Sequence, residues 1–151
     1  MAQQTAAIQE HDRTPVPALN EMQIVSMAES NYMDEAQKQF FRARLVAIEE
    51  MLQARSREAA AEIAVSAAGA DPIDRASAEE EHQLALAARA RDSDQLLEVR
   101  AALNRIDTDD FGWCAETGEM IGVGRLLICP TTTLCVEAQQ RRESMTTRYR
   151  I

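Results

Sequence analysis

The chain is poor in the residues that build a bulky core or interrupt a helix. Aromatics are 4% of its 151 residues, with five glycines and four prolines. So few aromatics argue against a large aromatic-filled core and for thin helix packing. Arginine and lysine form no long run, and the net charge is −9 with a pI near 4.7. Nucleic-acid affinity depends on cations that neutralise phosphates, so free DNA or RNA is a poor primary ligand for this chain. A basic protein groove is the better match. The cysteines, Cys114, Cys129 and Cys135, are odd in number, and the first residues carry neither a basic n-region nor an apolar h-region. A disulfide framework is therefore not expected, and no stretch approaches the length of a membrane span. A reducing, cytoplasmic setting follows. No histidine or serine constellation points to a self-contained active site, so the chain is expected not to be an enzyme.

What is abundant is alanine and helical periodicity. Hydrophobic residues make up 46% of the chain. Residues 1 to 33, with Pro15 and Pro17, read as a tail in which Ile24, Val25 and Met27 could form a short docking turn. A loosely held terminus is the plainer expectation. Asp34 suits a helix N-cap, with Asn31 in competition. From there no proline or glycine occurs until Gly69. Phe41, Leu45, Ile48, Leu52, Arg55 and Ala59 follow heptad spacing and thin toward alanine.

Gly69-Ala70-Asp71-Pro72 breaks this helix, and Pro72 suits the opening of the next. A second helix is expected from about Asp74 to Ile106, with Leu96, Val99, Leu103 and Ile106 as its seam. Two such helices joined by a short turn pair antiparallel. The result is an arm of roughly 50 Å at a rise of ~1.5 Å per residue, slender at its tip. Residues 107 to 138 hold four of the five glycines, the single Trp113 and all three cysteines. They read as short strands and turns, with a knuckle-type turn in CAETGEMI. A last helix is expected from Val136 to about Met145, and Arg141, Arg142, Arg148 and Arg150 make this end locally basic.

Five stretches carry a resemblance over roughly three-quarters of the chain: NYMDEAQKQFFR (31 to 42), DPIDRASAEEE (71 to 81), RIDTDDFGWC (105 to 114), GEMIGVGRL (118 to 126) and PTTTLC (130 to 135). In these the chain resembles the DksA/TraR family of RNA polymerase regulators. The DFG inside DFGWC is part of this pattern and not a kinase motif. The resemblance implies a mainly α fold: a long antiparallel two-helix coiled-coil arm, a small zinc-finger-like globular domain and a C-terminal helix. The expected division is a partly docked tail at 1–33, a hairpin at 34–107 with its tip at 69–76, a degenerate zinc-finger-like domain at 108–136 and a helix at 137–151.

The implied function is direct binding of core RNA polymerase through its secondary channel. There the factor modulates promoter complexes, such as those at rRNA promoters, in the stringent response, without reading DNA sequence. The alternatives are a transcript-cleavage or elongation factor of similar arm geometry, and a coiled-coil adaptor with no polymerase role. The family's DxxDRA tip is present, so Asp71, Asp74 and Ala76 are the implied contacts near the polymerase active centre. On spacing alone Asp71 and Asp74 would equally cap the second helix.

In the family the alarmone ppGpp lies between factor and polymerase, held by basic residues. Of the matching positions Arg91 is retained, whereas the others read Glu98, Cys129 and Gln139, and an apolar neighbour reads Gln95. Weakened ppGpp dependence is expected, with Arg125, Arg141 and Arg142 as cations able to compensate. Zinc-bearing members carry CxxC…CxxC, but the four positions here are Cys114, Thr117, Cys135 and Ala138. Structural zinc normally takes four Cys or His ligands. The expectation is therefore no bound cofactor and no zinc, with Cys114 and Cys135 as small buried hydrophobes beside Thr117 and Ala138.

Overall fold

The computed structural model describes residues 19–66 and 75–148. Five α-helices follow one another: α1 (Glu21–Ser26), α2 (Glu35–Ser66), α3 (Arg75–Asp107), α4 (Val123–Ile128) and α5 (Val136–Arg148). A 3-10 turn at Glu29–Asn31 joins α1 to α2. No helix among the described residues is long and apolar enough to cross a membrane.

The arm is α2 against α3. Both are breaker-free runs of strong helix formers, and both bury the heptad positions read from the sequence. Phe41, Leu45, Leu52 and Val99 are essentially inaccessible, Ile106 nearly so, and Ile48, Leu96 and Leu103 pack half-buried against them. Each such side chain withdrawn from water contributes about 1.5–3 kcal/mol as an upper figure. The seam thins as anticipated, since Arg55 is exposed and Ala59 only partly covered. Three ion pairs cross between the helices at successive levels, Arg42–Asp107, Arg100–Glu49 at 2.9 Å and Arg55–Asp92 at 2.9 Å, and Lys38–Asp109 at 2.6 Å ties α2 to the turn after α3. Partly exposed pairs contribute less than about 1 kcal/mol each, so they favour this register while the seam holds the helices together.

The start of α2 shows how local chemistry fixes the base of the arm. Asp34 Oδ1 accepts from the Gln37 N–H at 2.9 Å, the N-cap bond expected of Asp34. The Gln37 side chain is buried, and its Oε1 accepts from the Met33 N–H at 2.9 Å. Met33 itself stands at φ +54, where the chain turns sharply into the helix.

Two outcomes concern the globular end. First, the docking turn offered at Ile24, Val25 and Met27 forms within residues 19 to 33, where the plainer expectation was a loosely held terminus. Asn20 and Gln23 form a reciprocal capping box that starts α1. Ile24 is buried at 1% exposure, and α1 packs on α4. Arg44 of α2 fastens the assembly by pairing with Glu21 and donating to the Leu127 carbonyl at 3.0 Å. Second, the strands expected in 107–138 do not form among the described residues. One isolated bridge pairs Trp113 with Met120, and α4 follows directly. Gly112, Gly118 and Gly122 all adopt positive φ, so the backbone turns too often for a ladder to extend.

Candidate functional site

The positions singled out by the sequence fall in three separate places. The first is the far end of the arm. Asp71 and Asp74 lie outside the described residues. Ala76 lies in the first turn of α3, with its side chain outside them.

The second is the face where the base of α3 meets the loop after α4. Arg91 is exposed on α3. Glu98, also exposed, accepts from the Thr131 hydroxyl at 3.4 Å, and Thr131 Oγ1 lies 3.9 Å from the Cys129 thiol. Gln139 turns to its own helix and donates to Glu143 at 2.7 Å. Arg125, a candidate compensating cation, donates to the Leu134 carbonyl at 3.1 Å, and Arg142 pairs with Glu116. Arg105, pushed down by burial, donates to the Thr131 carbonyl and so ties the loop to α3. This role for Arg105 was missed in the sequence, because nothing local to it signals a partner 26 residues away.

The third place is the knuckle and the start of α5, which carry Cys114, Thr117, Cys135 and Ala138. Cys114 is buried, Cys135 is buried and Ala138 is fully covered at the start of α5. Thr117 stands between the thiols, with its Oγ1 3.8 Å from Cys135 Sγ. Hydrogen bonding from the Thr117 hydroxyl is the main cause that holds the Cys114 thiol down to about 6. Burial opposes it, and the backbone N–H groups of Cys135, Thr117 and Glu116 assist. The turn is closed by Cys114 N–H to the Glu119 carbonyl and Gly118 N–H to the Cys114 carbonyl, both at 2.8 Å.

Tyr32 ties the N-terminal segment to the knuckle, a contact the sequence did not reveal. Its hydroxyl donates to the Gly112 carbonyl at 2.6 Å and accepts from the Gly122 N–H at 3.1 Å, so one side chain from the N-terminal segment spans both ends of the knuckle hairpin. Its ring meets Trp113 edge to face at 5.3 Å. Burial pushes the Tyr32 hydroxyl above its ordinary value, against the bonds from Gly122 and Ile121.

Residues 37–106 match the family described as DnaK suppressor protein DksA, N-terminal domain. Residues 109–144 match the family described as Prokaryotic dksA/traR C4-type zinc finger. The chain is 37% identical over 113 residues to the RNA polymerase-binding transcription factor DksA of Caulobacter vibrioides, covering 74% of this chain and 80% of that one. It is 34% identical to the Escherichia coli protein of the same name over 113 residues, covering 74% and 75%. The solved structure of transcription factor DksA2 from Pseudomonas aeruginosa superposes with a TM-score of 0.79 at 40% identity, covering 85% of this chain and 99% of that one.

The second match corrects the expectation of a domain without zinc, because a C4-type zinc finger points to zinc binding. That expectation rested on counting ligands at four positions, whereas the match spans the whole of residues 109 to 144. The donor set at those positions is two thiols, a hydroxyl and a methyl, half of a four-thiolate set. Among the described residues no three or more His, Cys, Asp or Glu converge as metal ligands. Two family matches in sequence order, relatives above 30% identity and a shared fold agree with the arm and knuckle geometry, and the chain belongs to the DksA/TraR family.

Proposed function

We propose that this chain binds RNA polymerase directly and regulates transcription from within the enzyme's secondary channel, acting in the cytoplasm and having no catalytic activity of its own. The observation that carries the reading is the slender two-helix arm, α2 against α3, on a chain whose relatives are named RNA polymerase-binding transcription factors. An arm of about 50 Å at ~1.5 Å per residue is long and thin enough to enter a channel without bringing the globular end along. The tip residues Asp71, Asp74 and Ala76 are its acting end. The division into a 1–33 segment, a 34–107 arm, a 108–136 knuckle domain and a 137–151 helix describes how the parts share the work.

The same reading assigns a weakened response to ppGpp. Arg91 supplies one cation on the exposed face, while Glu98 places a carboxylate there and Cys129 and Gln139 supply no charge. A carboxylate within the site repels a polyphosphate and removes charge-assisted bonds.

Run-off transcription from an rRNA promoter tests both parts. Purified polymerase is assayed with wild type or Asp74→Asn, each with and without ppGpp. The expected result is wild-type regulation that is lost in Asp74→Asn while polymerase binding persists, with little further change on adding ppGpp. Full regulation by the variant would defeat the tip assignment. Stimulated cleavage of a backtracked transcript would instead favour a cleavage factor, and absence of polymerase binding an adaptor.

A further inference from the structure

The globular end presents an aromatic patch that the arm does not use. Trp113, the one tryptophan of the chain, is 41% exposed, and Met120 is 45% exposed. They face each other in the antiparallel bridge, which puts both side chains on one side of the hairpin. Tyr32, itself held by its two hydroxyl bonds, extends the patch and braces the indole through its edge contact with Trp113. A large amphipathic side chain held rigidly at the surface loses little entropy on binding, the property that makes tryptophan a frequent interface anchor.

The two chain segments that carry this patch hold charge of one sign. Residues 27–37 and 106–124 contain no lysine or arginine. They do contain Glu29, Asp34, Glu35, Asp107, Asp109, Asp110, Glu116 and Glu119. The cations that reach them from neighbouring helices are already engaged, Lys38 by Asp109 and Glu35, Arg42 by Asp107 and Arg142 by Glu116. Glu29, Asp110 and Glu119 have no ion-pair partner among the described residues, and all three are exposed.

We propose that Trp113, Met120 and Tyr32, carried on segments that also present the exposed carboxylates Glu29, Asp110 and Glu119, form a docking surface for a basic protein partner that presents arginine. The charge selects a cationic partner. The indole selects arginine over lysine, because a guanidinium stacks flat on an aromatic face while its N–H groups reach flanking carboxylates. This surface is separate from the tip and independent of the polymerase assignment.

Because Trp113 is the sole tryptophan, its fluorescence reports the patch directly. The full chain is titrated at physiological ionic strength with a short peptide of alternating glycine and arginine, and in parallel with its glycine–lysine counterpart. Saturable fluorescence change with the arginine peptide, several-fold tighter than with lysine, is the expected result. Calorimetry then compares Trp113→Leu and Glu119→Gln with wild type, with far-UV circular dichroism as the control for folding. Trp113→Leu should weaken binding about five-fold, the share of a partly desolvated cation–π contact. Equal affinity for the two peptides, or binding unchanged in a folded Trp113→Leu, would reduce the patch to unspecific acidic attraction and overturn the proposal. So would the absence of saturable binding.

Discussion

Replacing Tyr32 by Phe removes one oxygen and leaves the ring edge-on to Trp113, which isolates the hydroxyl's share of holding the knuckle. That oxygen makes two bonds, to the Gly112 carbonyl at 2.6 Å and from the Gly122 N–H at 3.1 Å. Gly112 keeps a second partner, because its carbonyl also accepts from the Ile121 N–H at 2.8 Å. Both bonds are lost, and the Gly122 N–H at the N-cap of α4 is the group left without a partner. Two net bonds at about 1 kcal/mol each give a destabilisation of about 2 kcal/mol. For a chain of this size that lowers Tm by roughly 4–8 °C. Urea unfolding at neutral pH, followed by Trp113 fluorescence, measures it.

The same group predicts a pH effect whose sign is fixed. Burial raises the Tyr32 hydroxyl above its ordinary value near 10, so the folded protein holds this proton more tightly than the unfolded chain. Its contribution is present below the ordinary value and is lost as pH climbs from there through the raised one. Wild type should thus lose its advantage over Tyr32→Phe in that alkaline window. A variant within about 0.5 kcal/mol of wild type at neutral pH, a margin typical of surface changes, would refute the view of Tyr32 as the strut of the knuckle.

Leu45 is fully buried in the seam and Leu97 is 62% exposed on the same arm. Chemical unfolding should show Leu45→Ala losing about 2–5 kcal/mol and Leu97→Ala less than about 0.5 kcal/mol. Gly112 stands at φ +89, and a Cβ there would lie 2.7 Å from Met33 Cγ and 2.9 Å from its sulfur. Gly112→Ala should cost about 2–4 kcal/mol, combining left-handed backbone strain with overpacking. Adding Met33→Ala in a double-mutant cycle should relieve the contact share and leave the backbone share. If the altered basic face is what weakens the alarmone response, Glu98→Lys with Gln139→Lys should raise ppGpp-dependent regulation in the transcription assay, and an unchanged response would sink that assignment.

The arm was legible in the sequence because its cause is local and periodic. Phe41, Leu45, Leu52, Val99 and Ile106 recur at heptad spacing, and all are buried where that spacing places them. The Asp34 cap was legible for the same reason, since donor and acceptor lie three residues apart. The knuckle region was not, because its shape depends on contacts distant in sequence. Residues 107 to 138 read as short strands and turns, yet α4 forms with Leu126 buried, α1 packed against it and Arg44 donating to the Leu127 carbonyl. Nothing near Ile24 announces α4 as its partner, and nothing near Tyr32 announces Gly112 and Gly122, about 80 and 90 residues away.

The zinc expectation failed for a related reason: a residue-by-residue ligand count ignores the scaffold that the whole segment shares with its family. The sequence alone determined two paired helices, their seam and the Asp34 cap, since short-range periodicity and capping suffice for these. Tertiary structure decided where residues 19 to 33 dock, that the knuckle turns without a ladder, and that Trp113 stands exposed against Tyr32 and Met120. Each of these depends on which distant surfaces meet, and a linear pattern does not encode that meeting.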